Sequence, residues 1–203
     1  MAVYGTMLKE DGRHLDLIAK VGKLSNEYTV YNDMNHKLEG DYDTWAASIS
    51  AEYGKYFTMD KGFFFDPSAE LTIGRVAGKD YSAASDFLDE KGKYKYLDVE
   101  QDAFTTVIGR LGFTIGQKLD KASYYAKLSL AHEFAGDYDT TFRAKGEPEG
   151  STSMDFGDTW YELRMGGTTQ LSDNSLLYAS YGRTFGGDVT ENWRVDAGLR
   201  FTF

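Results

Sequence analysis

The sequence has 203 residues and a formal net charge of −10, and its 22 glycines, 15 tyrosines and 13 phenylalanines contrast with only 2 prolines. No apolar run approaches the ~20 residues that a membrane helix needs, and the absence of cysteine excludes disulfides and thiolate metal sites. The negative charge argues against a nucleic-acid partner, because phosphates would repel it. Length and composition fit a single domain, residues 1–203.

Nine stretches alternate apolar and polar residues with the two-residue period of a β-strand. In chain order they are residues 3–8, 14–24, 42–57, 63–76, 104–115, 124–134, 159–171, 175–185 and 191–203. Residues 94–99 and 139–145 also resemble strands, and we interpret them as parts of hairpins that extend beyond the nine main stretches. The sequence therefore predicts an all-β protein.

The last of these stretches is the most regular. Its odd positions carry Trp193, Val195, Ala197, Leu199, Phe201 and Phe203, and its even positions carry Asn192, Arg194, Asp196, Gly198, Arg200 and Thr202. Successive side chains of a strand point to opposite faces, so one face is wholly apolar and the other is polar. An uninterrupted pattern of this length is typical of a transmembrane β-strand.

The connections between the stretches alternate in length. Short polar turns at residues 9–13, 58–62, 117–121 and 172–174 alternate with long acidic segments at 25–41, 77–102 and 135–158. Bacterial outer-membrane barrels have short periplasmic turns and long extracellular loops. A soluble barrel also alternates, with its apolar residues inward, but aromatic residues near the ends of the apolar stripes, such as Trp193, favour contact with lipid. We therefore expect an antiparallel transmembrane up-and-down β-barrel.

Five segments together resemble the C-terminal β-barrel (translocator) domain of bacterial autotransporters, the type V secretion family. They are DPSAELTIGR (66–75), IGRLGF (108–113), YAKLSLAHEFAGD (125–137), GDTWYEL (157–163) and GGDVTENWRVDAGLRFTF (186–203). The resemblance implies an outer-membrane protein of a Gram-negative bacterium that anchors and exports an N-terminal passenger. Family barrels have twelve strands entered by a linker helix, so this chain would supply the last nine strands of an N-terminally incomplete domain.

The resemblance also implies partners and site residues. The partners would be the chain's own N-terminal passenger and linker helix, the outer-membrane barrel assembly machinery, and outer-membrane lipid with lipopolysaccharide. Trp193, Leu199, Phe201 and Phe203 resemble the C-terminal assembly signal, although they also fit simple lipid-facing girdle residues. Eight charged residues fall on the predicted lumen face, where they either line the path of the passenger or balance one another: Arg110, Lys127, Glu133, Glu162, Arg164, Arg194, Asp196 and Arg200.

Two alternative functions remain open on the sequence. One is a stand-alone porin or surface-adhesive barrel. The other is a barrel enzyme, but His14, His36 and His132 are scattered along the chain, with no Ser/His/acid grouping on one rim. We therefore expect no catalytic residues. The loop acids match no EF-hand spacing, and we expect neither a metal nor a cofactor.

Overall fold

The computed structural model describes residues 1–31, 35–88, 94–144, 148–188 and 191–202. Within these residues the chain forms one antiparallel sheet of fourteen strands and a single 3-10 turn, Asp60–Gly62. The strands are β1 (Ala2–Leu8), β2 (Arg13–Tyr31), β3 (Lys37–Lys55), β4 (Phe57–Thr58), β5 (Phe63–Val76), β6 (Lys79–Leu88), β7 (Tyr94–Gln101), β8 (Phe104–Lys118), β9 (Ala122–Glu133), β10 (Asp137–Ala144), β11 (Gly150–Asp155), β12 (Thr159–Ser172), β13 (Ser175–Phe185) and β14 (Arg194–Phe201). In the described chain, no helix is long and apolar enough to cross a membrane.

Nine of the fourteen strands form the main wall of the sheet. They pair in the order β1-β2-β3-β5-β8-β9-β12-β13-β14, so each strand lies beside the previous wall strand in the chain. These nine strands lie on the nine stretches that the sequence predicts. The prediction of an all-β antiparallel up-and-down architecture is confirmed. No pairing joins β1 to β14 among the described residues, so the sheet is open there.

The long connections contain more structure than the sequence indicated. The segment 25–41 was expected to be a loop, but β2 and β3 remain paired up to Tyr31 and Lys37. The segments 77–102 and 135–158 hold the hairpins β6-β7 and β10-β11, of which the sequence predicted only β7 and β10. We call β6, β7, β10 and β11 the extension sheet. The alternation pattern did not predict β6 and β11. Both strands consist largely of small and polar residues, so neither has an apolar stripe.

The cross-strand register keeps the two faces of the wall chemically distinct. On one face Ala19, Ile49, Ile73 and Val107 are direct neighbours on four strands. We call this side the apolar face; it comprises the odd-numbered positions of every wall strand except β9, where it comprises the even-numbered positions. On the opposite side, the polar face, the corresponding row is Asp16, Glu52, Glu70 and Arg110. A slip of one residue would exchange the two faces, so the register is strongly specified.

The apolar face is exposed rather than packed inside the protein. Ile49 is 59% exposed, Leu111 66% and Val195 60%. The described chain buries only four hydrophobic residues, namely Phe64, Ala83, Val99 and Ala131. A water-soluble sheet protein would bury such a face, because the hydrophobic effect rewards removal of apolar area from water. The wall therefore exposes the face that a water-soluble sheet protein would bury.

The sheet is curved so that its polar face is concave. The Lys127 ammonium on β9 lies 2.6 Å from a carboxylate oxygen of Glu52 on β3. Strands β5 and β8 separate these two strands, so a flat sheet would place their backbones about 14 Å apart. Their side chains meet because the sheet bends toward its polar face.

Aromatic rings cover glycines on the crowded concave side. Tyr28 lies directly across from Gly40, Phe64 from Gly116, Tyr125 from Gly166 and Tyr178 from Gly198. A Cβ atom at Gly40 would lie 2.6 Å from the ring carbon Cζ of Tyr28. Only glycine leaves room for a ring to lie flat on the neighbouring strand.

The pair of Gly198 and Tyr178 gives a stability prediction. We expect Gly198→Ala to destabilise the protein by about 1 kcal/mol, because the three heavy atoms nearest to the new Cβ belong to the outer end of the Tyr178 side chain, which must move off the strand. Gly182→Ala is the matched control on β13, since its Cβ would meet only a backbone oxygen of Leu163 at 4.0 Å. The midpoint of urea unfolding measures both. Adding Tyr178→Ala should relieve the penalty at 198, and equal midpoints for Gly198→Ala and Gly182→Ala would contradict the steric account.

Candidate functional site

The centre of the polar face is an ion-pair network around Arg110. The Arg110 Nε atom donates to a carboxylate oxygen of Glu162 at 3.0 Å, and Nη1 lies 3.3 Å from Glu70. The same Glu162 oxygen accepts a hydrogen bond from the indole Nε1 of Trp160 at 2.9 Å. Thr72 donates its hydroxyl to Glu70 at 2.8 Å. One arginine therefore joins acids from β5 and β12 across the curved sheet.

Strand register explains why these residues meet. Glu70 on β5 is directly opposite Arg110 on β8, whereas Glu162 is two strands away and is reached because of the curvature. Side chains of Arg110, Glu70 and Glu162 are 22%, 23% and 24% exposed, so the network is partly shielded from water. Ion pairs in such surroundings are screened less than those on an open surface.

The network lies beside an open cavity of about 480 Å³ on the polar face. Its walls come from β2, β3, β5, β8, β9, β12 and β13, and they carry both charge signs and several hydroxyls. The charged residues lining it are Lys20, Glu52, Glu70, Arg110, Lys127, Glu162, Arg164, Arg183 and Glu191. A cavity with this lining holds water and accommodates polar chains, whereas an apolar ligand would find few partners.

Four of the eight charged residues predicted for the lumen line this cavity: Arg110, Lys127, Glu162 and Arg164. Three of them form ion pairs, but Arg164 is exposed and has no partner among the described residues. Its direct neighbour in the register is Lys127, which turns away toward Glu52. Arg164 therefore presents an unpaired positive charge to the cavity.

The other four lie elsewhere. Arg194 pairs with Asp196 on β14 at 3.0 Å, and both are exposed at that edge of the sheet. Arg200 is also exposed there, opposite Leu176. Glu133 is 6% exposed at the end of β9 and accepts the backbone N–H groups of Val107 at 2.6 Å and Ala135 at 3.1 Å. It thereby satisfies buried backbone donors where β9 leaves the wall, which is a structural task.

The sequence analysis did not place Glu52 and Glu70 among the site residues, although the two-residue period puts both on the polar side of their strands. Alternation shows which face a residue occupies, but not which residue lies opposite it. The signal that could have found them is the charge balance of the face. Arg110 on β8 and Lys127 on β9 need acidic partners. Glu52 on β3 and Glu70 on β5 are acids on the same face of nearby strands.

The three histidines lie in separate surroundings. His14 contacts carboxylates of Asp66 at 2.9 Å and Asp16 at 3.3 Å near a short turn. The Nδ1 atom of His132 is 2.8 Å from the hydroxyl of Thr159 at the other end of the wall. His36 lies 3.4 Å from Asp86. Among the described residues, no group of three or more His, Cys, Asp or Glu side chains is arranged to hold a metal ion.

The residues proposed as an assembly signal lie at the C-terminal edge of the apolar face. Trp193 is 69% exposed, Leu199 54% and Phe201 58%. Leu199 is the direct neighbour of Leu177 on β13, so it continues the apolar surface of the adjacent strand. Phe203 lies outside the described residues.

An aromatic cluster attaches the extension sheet to the wall. The ring of Tyr81 on β6 stacks on Tyr42 at a centroid distance of 4.6 Å, and its hydroxyl lies 3.1 Å from that of Tyr28. Burial in this cluster, together with the hydroxyl of Tyr28, raises the pKa of Tyr81 above its ordinary value.

The cluster predicts a loss of stability at alkaline pH. The raised pKa means that folded Tyr81 holds its proton more tightly than the unfolded chain does, so its contribution to stability is complete below about pH 10 and falls above it. Tyr81→Phe keeps the ring stacking and should weaken this decline. Tyr96→Phe, at a 58% exposed tyrosine of β7, is the control and should leave it unchanged. Urea midpoints between pH 8 and 11 test this, and identical slopes for all three proteins would contradict it.

The comparisons with known proteins agree with this geometry. Residues 1–182 match the family model described as autotransporter beta-domain. The chain is 29% identical to the pertactin autotransporter of Bordetella parapertussis, covering 98% of this chain and 21% of that protein. It is 27% identical to the BrkA autotransporter of Bordetella pertussis, covering 98% and 19%. The crystal structure of the BrkA beta domain superimposes with a TM-score of 0.71 and 25% identity, covering 98% of this chain and 71% of that one. The chain thus spans about a fifth of the length of these curated relatives.

Proposed function

Because the chain belongs to the autotransporter β-domain family, we propose that it forms part of an outer-membrane translocator that anchors an N-terminal passenger and helps to export it to the surface of a Gram-negative cell. In this proposal the nine wall strands are the last nine strands of a twelve-stranded transmembrane barrel. The remaining strands and a linker helix come from sequence N-terminal to residue 1, and close the open sheet between β1 and β14.

The exposed apolar face is the observation that carries the proposal. On β3 it runs from Trp45 to Tyr53, which is roughly 26 Å along the strand and roughly 20 Å at a typical tilt of about 40°. The apolar band of outer-membrane barrels is about 25 Å tall. Monomeric soluble proteins rarely expose apolar patches above a few hundred Å², whereas this face continues over nine strands.

The polar face fits the role of a water-filled pore. An arginine or lysine of this face would cost roughly 2–4 kcal/mol if it faced lipid near the mid-plane, whereas on the concave side the charged residues pair with one another or contact water. We propose that Arg110, Lys127, Glu162 and Arg164 line the lumen beside the passenger or its linker helix. Arg164 is the residue of this group with a free charge for such a contact. Arg194, Asp196 and Arg200 would join the lumen once the barrel closes beside β14.

We propose no catalytic step for the chain. Neither His14 nor His132 combines a hydroxyl partner with a carboxylate partner among the described residues. Free energy for export would come from folding of the passenger outside the cell. The C-terminal residues Trp193, Leu199, Phe201 and Phe203 would serve the assembly machinery as a recognition signal.

The test of the translocator proposal is surface exposure of the upstream segment. An epitope is introduced at the chromosomal locus into the reading frame that precedes Met1, and intact cells are probed with antibody and with protease. We expect the epitope on the surface and this chain in the outer-membrane fraction. An in-frame stop codon directly upstream, with ion conductance by the purified chain, would overturn the proposal and favour a stand-alone porin.

A further inference from the structure

A cationic cluster lies at one end of the apolar face, around a tryptophan. Lys23 on β2 is directly opposite Trp45 on β3. Arg75 on β5 is directly opposite Ala47, the next residue of β3 on the same face. Lys23 and Arg75 are two strand spacings and a two-residue offset apart, about 12 Å between their backbones, and Trp45 lies on the strand between them. We call Lys23, Trp45 and Arg75 the rim cluster.

The rim cluster marks the boundary of the apolar face at the end of the wall that carries the long connections. Val21 and Ile73 are the preceding residues of the same face on β2 and β5, and they are 40% and 42% exposed. Trp45 is 60% exposed. An amphiphilic partner would therefore meet exposed apolar surface below the cluster and positive charge at its level.

The cluster keeps a net positive charge on a chain whose overall charge is −10. The Lys23 ammonium pairs with Asp43 at 2.6 Å, and Lys79 also interacts electrostatically with Asp43. By contrast, Arg75 donates from Nη1 to the neutral hydroxyl of Thr105 at 2.9 Å. Arg75 is exposed, and its charge meets no carboxylate among the described residues.

Acidic residues nearby limit where an anion can bind. Glu27 and Asp41 are direct neighbours in the register, two rows beyond Lys23 and Trp45. That separation is about 13 Å along the strand. These acids would repel an anion from the outer part of the β2-β3 hairpin. On this face an anion therefore binds more favourably near Lys23 and Arg75.

We propose that the rim cluster binds a phosphate of a phosphorylated glycolipid in the outer leaflet, of the lipopolysaccharide class, with the acyl chains on the apolar face below. The inference rests on the proposed membrane location. The forked guanidinium of Arg75 matches two phosphate oxygens, and Lys23 adds a point charge from the other side. Trp45 occupies the interfacial level that indole rings prefer. Because exposed apolar surface lies directly below the cluster, we expect it to bind a phosphate carried by a lipid rather than a free anion.

The test measures binding of fluorescently labelled lipopolysaccharide to the purified chain in detergent micelles, by fluorescence anisotropy. The double variant Lys23→Gln/Arg75→Gln should bind roughly twenty-five-fold more weakly, because each cation near anionic lipid contributes about fivefold. The matched control is Arg13→Gln/Lys55→Gln, a directly opposed pair of cations at the other end of the same face. We expect the control to bind within about twofold of the unaltered chain.

Two further arms identify the ligand. Enzymatically dephosphorylated lipopolysaccharide should bind the unaltered chain as weakly as the intact glycolipid binds the double variant. Millimolar inorganic phosphate should not displace the labelled glycolipid. Equal binding by the unaltered chain and the double variant, or ready displacement by inorganic phosphate, would overturn the inference.

Cell fractionation separates failure of this inference from failure of the proposed function. If the unaltered protein is absent from the outer-membrane fraction, the translocator proposal fails first. If it is present there and the double variant still binds the glycolipid normally, only the rim cluster assignment is wrong.

Discussion

Leu111→Arg should prevent stable insertion into the outer membrane, whereas Thr114→Arg on the same strand should be tolerated. Leu111 is the central residue of β8 and is 66% exposed on the apolar face, between Ala69 and Leu130 in the register. An arginine at the mid-plane of a barrel wall costs about 2–4 kcal/mol when it faces lipid. That penalty is a large fraction of the total stability of a typical domain.

Thr114 is the matched control because it lies three residues away on the polar face. Its direct neighbours are Asp66 on β5 and Lys127 on β9. An arginine there would stay on the polar face, where it gains Asp66 as a neighbour and meets repulsion from Lys127. The fraction of each variant that resists extraction from outer membranes by urea measures insertion. Equal loss of both variants would mean that the two faces are wrongly assigned.

The alternation of the sequence was sufficient to predict the wall. The stretches 63–76 and 175–185 coincide with β5 and β13, and the same two-residue period puts Leu111 on the apolar side of stretch 104–115. This succeeded because one face of each wall strand is almost uniformly apolar, and a strand exposes its two faces at successive residues. The C-terminal strand is the clearest case, since β14 keeps the alternation from Arg194 to Phe201.

The contacts between strands could not be predicted in the same way. Alternation places Glu52 and Lys127 on the polar face, but their contact depends on register and on the curvature of the sheet, which are properties of the whole wall. The extension sheet was partly missed for a different reason. Small and polar residues follow one another along β6 and β11, so no apolar stripe marks these two strands in the sequence.

The ion-pair network provides the second large expected effect, because Arg110→Ala should destabilise the protein by about 2–3 kcal/mol. The substitution leaves Glu70 and Glu162 on a partly buried surface without their shared cation. Removing one partner of a buried ion pair costs about 3–5 kcal/mol, and we reduce that range because these side chains are 22–24% exposed. Arg164→Ala is the control: this arginine lies on the same face without an ion-pair partner among the described residues, and its loss should change stability by less than about 0.5 kcal/mol.

A triple variant separates charge from packing as the cause. If the penalty of Arg110→Ala comes from uncompensated carboxylates, then adding Glu70→Gln and Glu162→Gln should restore most of the lost stability, since neutral amides are less costly to leave without a cation. Urea midpoints in detergent micelles measure all the variants. A triple variant as unstable as Arg110→Ala alone would show that the guanidinium acts mainly by filling space on the concave face, and that charge balance is not what holds β5, β8 and β12 together there.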